Sequence, residues 1–406
     1  MDLEIRRIRP EEFATYARTL EAAFHGPLSD EAVEDERTIA EHDRQFAAFD
    51  DGAVVGGSSV ATFQMSVPGG RTLQAAGIKQ VGVLPSHRRQ GINTALMRAQ
   101  LDDIHSRGES LAALHASEAG IYRRFGFGQA TFLADLRVET SRTAFLPDHR
   151  PQGRVRLLPH DDALPRMRPV YDAVAAGRPG MIVLDDRWFS WRFAELDKEK
   201  ELPWFFAVHE SEAGEPDAYA VYEVKHEWPG ETPMLELTAH EVMATTPQAT
   251  ADIWRFVFDV DLVHTVIAGK RPVDDALLWL MAEPRRLRFT LSDGMYARLV
   301  DVPAALAARG YSEEGVVVFG VSDDFCPWNE GTYALASSDG SATCVRTEDP
   351  PDLACTVNEL GATYLGGATF TQLASGGRIE ERTEGALARA DAIFRSEPAP
   401  WCSLPF

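Results

Sequence analysis

The segment Val81-Gly82-Val83-Leu84-Pro85-Ser86-His87-Arg88-Arg89-Gln90-Gly91-Ile92-Asn93 begins as a strand, turns at the proline and opens a helix at the glycine. The first turn of a helix has backbone N–H groups without intrahelical partners and a partial positive charge. That geometry suits a phosphate or a pyrophosphate. Gly91 leaves the backbone open to such a group, and Arg88 and Arg89 add positive charge. Neither G-x-x-x-x-G-K-[ST] nor G-x-G-x-x-G occurs here. On these residues alone, a phosphate-binding turn and an ordinary strand-to-helix turn with surface arginines both remain open.

The residues after this turn predict a helix and a second strand. Apolar side chains spaced by three and four positions give the helix one buried face. This face comprises Leu96, Met97, Leu101 and Ile104. Arg107 and Gly108 end the helix, and Leu111–His115 follows as a short apolar strand. A helix that joins two strands in this way implies that the strands are parallel neighbours.

Upstream, the chain predicts a helix followed by a hairpin. Pro10 opens the helix, with acidic residues in its first turn. Residues 30–44 are rich in acid and are interpreted mainly as a solvated polar segment. Asp50-Asp51-Gly52 and Pro68-Gly69-Gly70 are typical turn sequences on either side of an apolar strand.

A tyrosine follows the second strand at a position where it can serve a bound ligand. Ser117 is expected to cap a short helix from Glu118 to Phe125, and this helix carries Tyr122. A tyrosine here can reach the far end of a ligand whose phosphates lie on the preceding helix. The alternative is an ordinary core aromatic, as most tyrosines are.

The order of elements recurs more weakly in residues 151–290. The pattern predicts strands over 220–225, 234–243 and 264–268, a turn at 228–231, and a helix from Thr246-Pro247 to Asp259. No glycine-bearing turn precedes this helix. We interpret the region as an internal duplication that has lost its ligand loop. From about Asp293 onward, alternating strands and helices predict an α+β region with its own core.

Composition excludes several classes of protein. The chain has 406 residues, with 62 acidic and 40 basic side chains and a formal net charge of −22. This length predicts two or three domains of ~100–200 residues each. So acidic a surface repels phosphate, which argues against nucleic acid and anionic membranes as partners. A cationic partner is compatible with it, although acidity also serves solubility alone.

Cysteine usage and the chain start indicate a cytoplasmic protein. The four cysteines, Cys326, Cys344, Cys355 and Cys402, form no C-x-x-C pair, and no histidine follows His264. We therefore expect neither a zinc site nor a disulfide framework, but buried free thiols. The start carries early acid without an apolar stretch behind it, and no run approaches the ~20 apolar residues of a membrane span.

Taken together, V-x-V-x-P-x-x-R-R-x-G followed by Y-x-x-F-G-F resembles the GNAT superfamily of N-acetyltransferases. The stretch Ala116-Ser117-Glu118-Ala119-Gly120-Ile121-Tyr122-Arg123-Arg124-Phe125-Gly126-Phe127 resembles more specifically the Eis (enhanced intracellular survival) family. The resemblance spans the whole chain and implies a mixed α/β (α+β) fold of three parts. These are a GNAT domain at 1–135, a degenerate GNAT-like domain at 150–290 and a sterol-carrier-protein-like domain at 291–406, with residues 136–149 as a linking strand between the first two.

The resemblance also assigns the site residues. It places acetyl-CoA, the expected co-substrate, on Val81, Gly82, Val83, Arg88, Arg89, Gln90, Gly91, Ile92, Asn93, Thr94, Ser117 and Glu118, with no metal. Tyr122 corresponds to the general acid, and the terminal carboxylate of Phe406 corresponds to the general base. Asn93 departs from the family pattern, which has Gly or Ala there, and its amide can either crowd a phosphate or donate to it.

The tail that ends in Phe406 has the composition of a docking segment. Residues 398–406 carry three prolines and two aromatic side chains. Chain ends usually fray, but prolines reduce the entropy lost on docking, and aromatic rings provide apolar surface to bury.

The function implied by the resemblance is transfer of acetyl from acetyl-CoA to a primary amine. The expected substrates are cationic, namely aminoglycosides, polyamines or lysine side chains of proteins, and the expected assembly is a hexamer. Two alternatives stay open. The C-terminal domain can bind a lipid or sterol, or the protein can sense acetyl-CoA without acetylating amines.

Overall fold

The computed structural model describes residues 3–27, 29–146, 149–194, 202–226, 234–404 and 406. The first part of the chain contains β1 (Leu3–Arg7), α1 (Phe13–Ala23), α2 (Asp30–Ile39), β2 (Gln45–Asp50), β3 (Ala53–Val67), β4 (Arg71–Val83), α3 (Ile92–Ser106), β5 (Leu111–His115), α4 (Ala119–Tyr122) and β6 (Gly128–Gln129). These strands form one sheet in the order β1-β2-β3-β4-β5, with β6 further along. β4 and β5 are parallel, as predicted, and α3 connects them.

The second part contains β7 (Phe132–Glu139), β8 (Arg154–Leu158), α5 (His160–Gly177), β9 (Ile182–Val183), α6 (Asp186–Phe193), β10 (Phe205–Glu210), β11 (Pro216–Lys225), β12 (Leu235–Ala244), α7 (Pro247–Phe258), β13 (Val263–Arg271), α8 (Leu277–Leu280) and β14 (Thr290–Asp293). Its sheet has the order β14-β7-β13-β12-β11-β10-β8. β12 and β13 are parallel and are joined by α7, so this sheet repeats the arrangement of β4, α3 and β5. The predicted turn at 228–231 lies outside the described residues.

The third part contains β15 (Met295–Leu299), α9 (Val302–Ala308), β16 (Gly315–Ser322), β17 (Gly331–Ser338), β18 (Ser341–Arg346), β19 (Leu353–Thr356), α10 (Val357–Thr363), α11 (Phe370–Ser375), β20 (Glu380–Glu381) and α12 (Ala386–Phe394). The five strands β16 to β20 form a separate sheet in the order β18-β17-β16-β19-β20. Three of the cysteines lie in or beside this α+β unit and the fourth lies in the tail, and all four are buried free thiols, as expected.

Two strands, β15 and β9, join a sheet other than those of their neighbours in sequence, and β7 lies where the chain passes from the first sheet to the second. The sequence pattern groups β15 with the C-terminal region, but this strand lies between β5 and β6 in the first sheet. β7, which overlaps the predicted linking segment, pairs with β13 and β14 of the second sheet. β9 pairs with β3 of the first sheet. Local periodicity predicts that a segment is a strand, but it carries no information about which sheet the strand joins.

Two further details differ from the sequence interpretation. The acid-rich segment contains a regular helix, α2, because Val33 and Ile39 give it a buried side. Ser117 does not cap the helix that holds Tyr122; the residue at the cap is Glu118, and it makes no side-chain capping bond. The four apolar positions predicted for α3 are all buried. Among the described residues, no helix is both long enough and apolar enough to cross a bilayer.

Candidate active site

A wedge opens in the first sheet where β4 and β5 separate. The two strands pair only from Ala75 to Gly77 on β4 and from Leu111 to Ala113 on β5. Beyond Gly77, β4 continues to Val83 while it remains paired with β3 alone. The edge of β4 that faces the wedge therefore offers backbone groups to an extended ligand, and the predicted residues Val81, Gly82 and Val83 lie along it.

A bulge next to the wedge redirects β4. The register with β3 shifts between Gly57 and Ser59, so that Gln80 and Val81 lie opposite a single residue. Gln80 adopts a positive φ of 54°. Its side chain holds this conformation, because its amide donates to Glu36 at 2.8 Å and its oxygen accepts from Ser59 at 3.0 Å.

Gly82 has a packing role in addition to its place on this edge. A Cβ at this position would come within 3.2 Å of Ala23 and 3.3 Å of Phe24, both at the end of α1. A side chain at residue 82 would therefore push the end of α1 away from β4 by a few tenths of an ångström. Val81 and Val83 are half-buried on either side of it.

The predicted phosphate turn leaves the start of α3 open. Gly91 is the N-cap residue, and it has a φ of +83° and no side chain to accept from the first-turn N–H groups. A Cβ added there would meet nothing within 4 Å, so the space in front of the helix is free. Arg89 also has a positive φ, 63°, and it is exposed together with Gln90.

The side chain of Arg88 is hydrogen-bonded to the backbone of two neighbouring elements. Its guanidinium donates to the carbonyl of Ala23 at 3.0 Å and to the carbonyl of Val83 at 3.4 Å. It therefore fixes the turn against α1 and β4. Arg89, which is exposed, provides the second positive charge of the turn.

The first turn of α3 supplies the other predicted residues. Ile92 is buried, Thr94 is exposed, and Asn93 is half-buried between them. The Asn93 side-chain oxygen is buried and has no hydrogen-bond partner among the described residues. With its free N–H groups and the open space in front of Gly91, this turn fits the pyrophosphate of a coenzyme A thioester, and the Asn93 side chain can contribute only through its NH₂ group.

Tyr122 is buried on the α3 side of the first sheet. Its ring packs edge-on against Phe125 and Phe127, with centroid distances of 6.5 and 6.2 Å. Burial, with a smaller contribution from the Glu118 carboxylate, raises the pKa of Tyr122. The hydroxyl is therefore protonated at neutral pH. Ser117 and Glu118 are exposed at the start of α4.

Phe406 lies on the opposite side of the sheet, where the wedge begins. Its ring contacts Phe63 and His115, with centroid distances of 5.1 and 5.0 Å. A Cβ at Gly77 would stand 3.0 Å from the Phe406 ring, so the glycine leaves room for it. Phe406 packs with the core on one face of the sheet, and Tyr122 packs with α3 on the other face. The wedge between β4 and β5 is the opening between the two faces.

The tail that ends at Phe406 is anchored on the second part of the chain. Arg178 donates to the Ala399 carbonyl at 2.9 Å and pairs with Asp274 at 2.7 Å, and Asp274 accepts from the Ala399 N–H at 3.0 Å. The indole of Trp401 donates to the Lys270 carbonyl at 2.7 Å. Trp401 and the three residues that follow it are buried. The tail is thus docked, as its composition predicts.

Sequence reasoning missed His115, the last residue of β5. Burial, with a further contribution from the positive charge of Lys270, lowers the pKa of His115 to about 4. The imidazole is therefore neutral at physiological pH, and its Nε2 atom has no partner within the described chain. The sequence did offer one signal, because His115 ends the strand that precedes the helix carrying Tyr122. The described residues contain no group of three or more His, Cys, Asp or Glu arranged to hold a metal ion.

Family comparisons divide the chain into three matched segments. Residues 4–130 and residues 180–299 each match an acetyltransferase (GNAT) domain. Residues 302–403 match a sterol carrier protein domain.

Full-length relatives support the same assignment. The chain is 40% identical to an uncharacterized N-acetyltransferase of Streptomyces avermitilis, over 99% of each chain. It is 32% identical to N-acetyltransferase Eis of Mycobacterium tuberculosis, over 85% of this chain and 84% of the relative. Among solved structures, Eis1 of Mycobacterium abscessus superposes with a TM-score of 0.86 at 33% identity, over all of both chains.

Proposed function

The chain belongs to the Eis-type N-acetyltransferases of the GNAT superfamily, and from that premise we propose that it transfers acetyl from acetyl-CoA to a primary amine of a cationic substrate. Aminoglycosides, polyamines and lysine side chains of proteins are the proposed substrate classes. The observation that carries the proposal is the wedge between β4 and β5, with the open start of α3 at one end and Phe406 at the other.

Residues of the first domain are proposed to bind the co-substrate in two places. The turn before α3 holds its phosphates, and the backbone of β4 holds the extended part of the molecule. The first-turn N–H groups of α3 are open to a ligand, the exposed Arg89 adds positive charge to the same turn, and the edge of β4 from Val81 to Val83 lies beside it. Bound acetyl-CoA supplies an acetyl group on a thioester sulfur. Backbone N–H groups near Val83 polarise the thioester carbonyl.

Two groups are proposed to move protons. An alkyl ammonium with a pKa near ~10 must lose a proton before it can attack, and the Phe406 carboxylate accepts this proton. The Tyr122 hydroxyl gives a proton, or at least a hydrogen bond, to the departing sulfur. The raised pKa of Tyr122 supports this role, because it keeps the donor protonated.

A lipid-binding role for the third domain receives less support. Its interior contains Phe319, Phe370 and Phe394, whose rings pack against one another at 4.9–5.9 Å. The buried Arg309 guanidinium lies 4.6 Å from the Phe394 ring and donates to the carbonyls of Tyr364 and Phe394. This interior is filled by side chains and a cation, which makes it a poor lining for a sterol.

A free-thiol assay tests the proposed function. The protein is mixed with acetyl-CoA and, in separate reactions, with spermidine, kanamycin and Nα-acetyl-lysine, and thiol release is followed together with the mass of the amine product. We expect thiol release that depends on the amine and an acetylated product. Thiol release without any acetylated amine across the panel would contradict the proposal.

The assembly and the cellular location are part of the same proposal. The family resemblance supports a hexamer in the cytoplasm. Mass photometry of the purified protein at nanomolar concentration measures the assembly directly, and a monomer under those conditions would contradict the hexamer.

A further inference from the structure

Lys79 stands on the stretch of β4 that borders the wedge of the proposed function. It lies two residues beyond Gly77, which contacts the Phe406 ring, and two residues before Val81. Because successive side chains of a strand alternate between its faces, Lys79 leaves β4 on the same side as Phe406. The bulge that would break this alternation begins only at Gln80.

The Lys79 ammonium is enclosed by two indole rings and a carboxylate. Its Nζ atom lies 5.2 Å from the ring centroid of Trp188 and 5.9 Å from that of Trp191. Glu36 of α2 pairs with it at 3.7 Å, and only 9% of the Lys79 side chain is exposed. Aromatic faces combined with a carboxylate are the chemistry with which proteins bind an ammonium group.

This cage is continuous with the end of the chain. The Phe63 ring packs on Trp188 at 4.9 Å and on Phe406 at 5.1 Å. The cage and the Phe406 ring therefore line one apolar wall, which helices α2 and α6 cover from two different domains.

The carboxylates near Lys79 are already engaged and are not free to bind a second cation. Glu36 pairs with Lys79 itself and accepts from Gln80. Glu41 is committed to Thr62, whose backbone N–H and hydroxyl both donate to it at 2.6 Å. Arg187 adds a second positive charge on α6, and burial together with Arg187 lowers the pKa of Lys79, whereas Glu36 and Glu41 raise it. A second ammonium brought by a substrate would thus meet an occupied cage and two like charges.

We propose that Lys79 fills the cation cage of the substrate site, so that the enzyme selects primary amines that carry a single positive charge and disfavours polycations. The inference rests on the proposed acetyl transfer and narrows its substrate classes. A lysine side chain in a peptide fits this selection, whereas a polyamine or an aminoglycoside places further ammonium groups against Lys79.

The test compares a monoamine with a polycation in variants at one position. The kcat/KM values for Nα-acetyl-lysine methylamide and for spermine are measured for the wild type and for Lys79→Met, which keeps an unbranched apolar chain on the indoles. We expect the wild type to prefer the monoamine. We expect Lys79→Met to shift the ratio toward spermine by about tenfold or more, since one unit charge a few Å away acts at this scale in a partly buried site.

Two variants control for charge and packing. Lys79→Arg keeps the positive charge and should keep the wild-type ratio. Lys225→Met removes the same charge from the end of β11 and should also leave the ratio unchanged. If Lys79→Met does not fold, Lys79→Gln takes its place.

Binding provides a readout that does not depend on turnover. Calorimetry in the presence of CoA should show that spermine binds at least about tenfold more tightly to Lys79→Met than to the wild type. An unchanged ratio and unchanged spermine binding would overturn the inference, as would a wild type that prefers spermine. Absence of acetylation for every amine would instead refute the proposed function, and the binding comparison would still decide the role of Lys79.

Discussion

Among single residues, Tyr122 carries the sharpest prediction. Tyr122→Phe keeps the ring that packs on Phe125 and Phe127 but removes the hydroxyl, so kcat for amine acetylation should fall by ~10²–10⁴. Acetyl-CoA affinity, measured by calorimetry, should stay near the wild-type value. Because burial raises the pKa of Tyr122 above its ordinary value, the hydroxyl stays protonated at neutral and mildly alkaline pH, and kcat should not fall there through loss of this acid. An unchanged kcat, with chemistry shown to be rate-limiting, would make Tyr122 a packing residue.

At the scale of residues, the sequence pattern reveals a candidate site where its members are close together in the chain. The glycine that precedes the amphipathic helix and the two arginines beside it lie within four residues of one another in the sequence. The structure places all three in one turn. Sequence reasoning missed His115 and Lys79 because their environments are formed by residues that are far away in the chain. The neutrality of His115 depends on its burial and on Lys270, and the cage around Lys79 depends on α2 and α6.

At the scale of elements, the start of α3 carries a prediction with an internal control. Gly91→Glu introduces a negative charge in front of the first-turn N–H groups and should weaken acetyl-CoA binding by at least about tenfold. Gly108→Glu is the matched variant at the other end of the same helix. Both glycines have positive φ, 83° and 74°, and neither has an atom within 4 Å of an added Cβ. The two variants should therefore lose similar stability, roughly 1–2 kcal/mol.

Calorimetric titration with CoA and thermal melts separate the two effects of this substitution. We expect weakened binding only for Gly91→Glu. Equal affinity in the two folded variants would show that the turn does not hold the phosphates.

Helices such as α3 were predictable from the sequence because their apolar residues recur at regular spacing. Helix α2 was less evident, because only one side of it is buried and its other faces are acidic.

For the whole molecule, the prediction concerns the far end of the chain. If the Phe406 carboxylate accepts the amine proton, a few extra residues after Phe406 should suppress acetylation of amines. Acetyl-CoA binding should survive, because the Arg88–Asn93 turn is untouched. The comparison is between an N-terminally tagged enzyme and the same protein extended at its C-terminus, with turnover of the preferred amine measured. Equal turnover would exclude the carboxylate as the base.

The anchor of the tail allows a milder form of the same experiment. Arg178→Ala removes a donor to Ala399 and loosens the tail without changing its chemistry, so it should lower kcat but not acetyl-CoA affinity. Arg168→Ala is the control. Arg168 lies within α5, the helix that ends just before Arg178, and it pairs with Asp172 and Asp186 instead. Added formate should partly restore turnover in Arg178→Ala if the defect is a misplaced carboxylate. No sequence pattern predicted that the second domain holds this tail.

The position of β15 also governs how the protein can be made. β5 borders the wedge, and its other edge stays without a partner until Met295–Leu299 leave the ribosome, long after β1 to β5 have been synthesised. An uncovered strand edge recruits other chains, so the nascent first domain is exposed to aggregation for the whole time that the second domain is being synthesised. The same logic applies to protein engineering. A fragment cut near residue 135 lacks the strand that pairs with the outer edge of β5, so we expect a stable first domain to need residues 295–299 supplied with it.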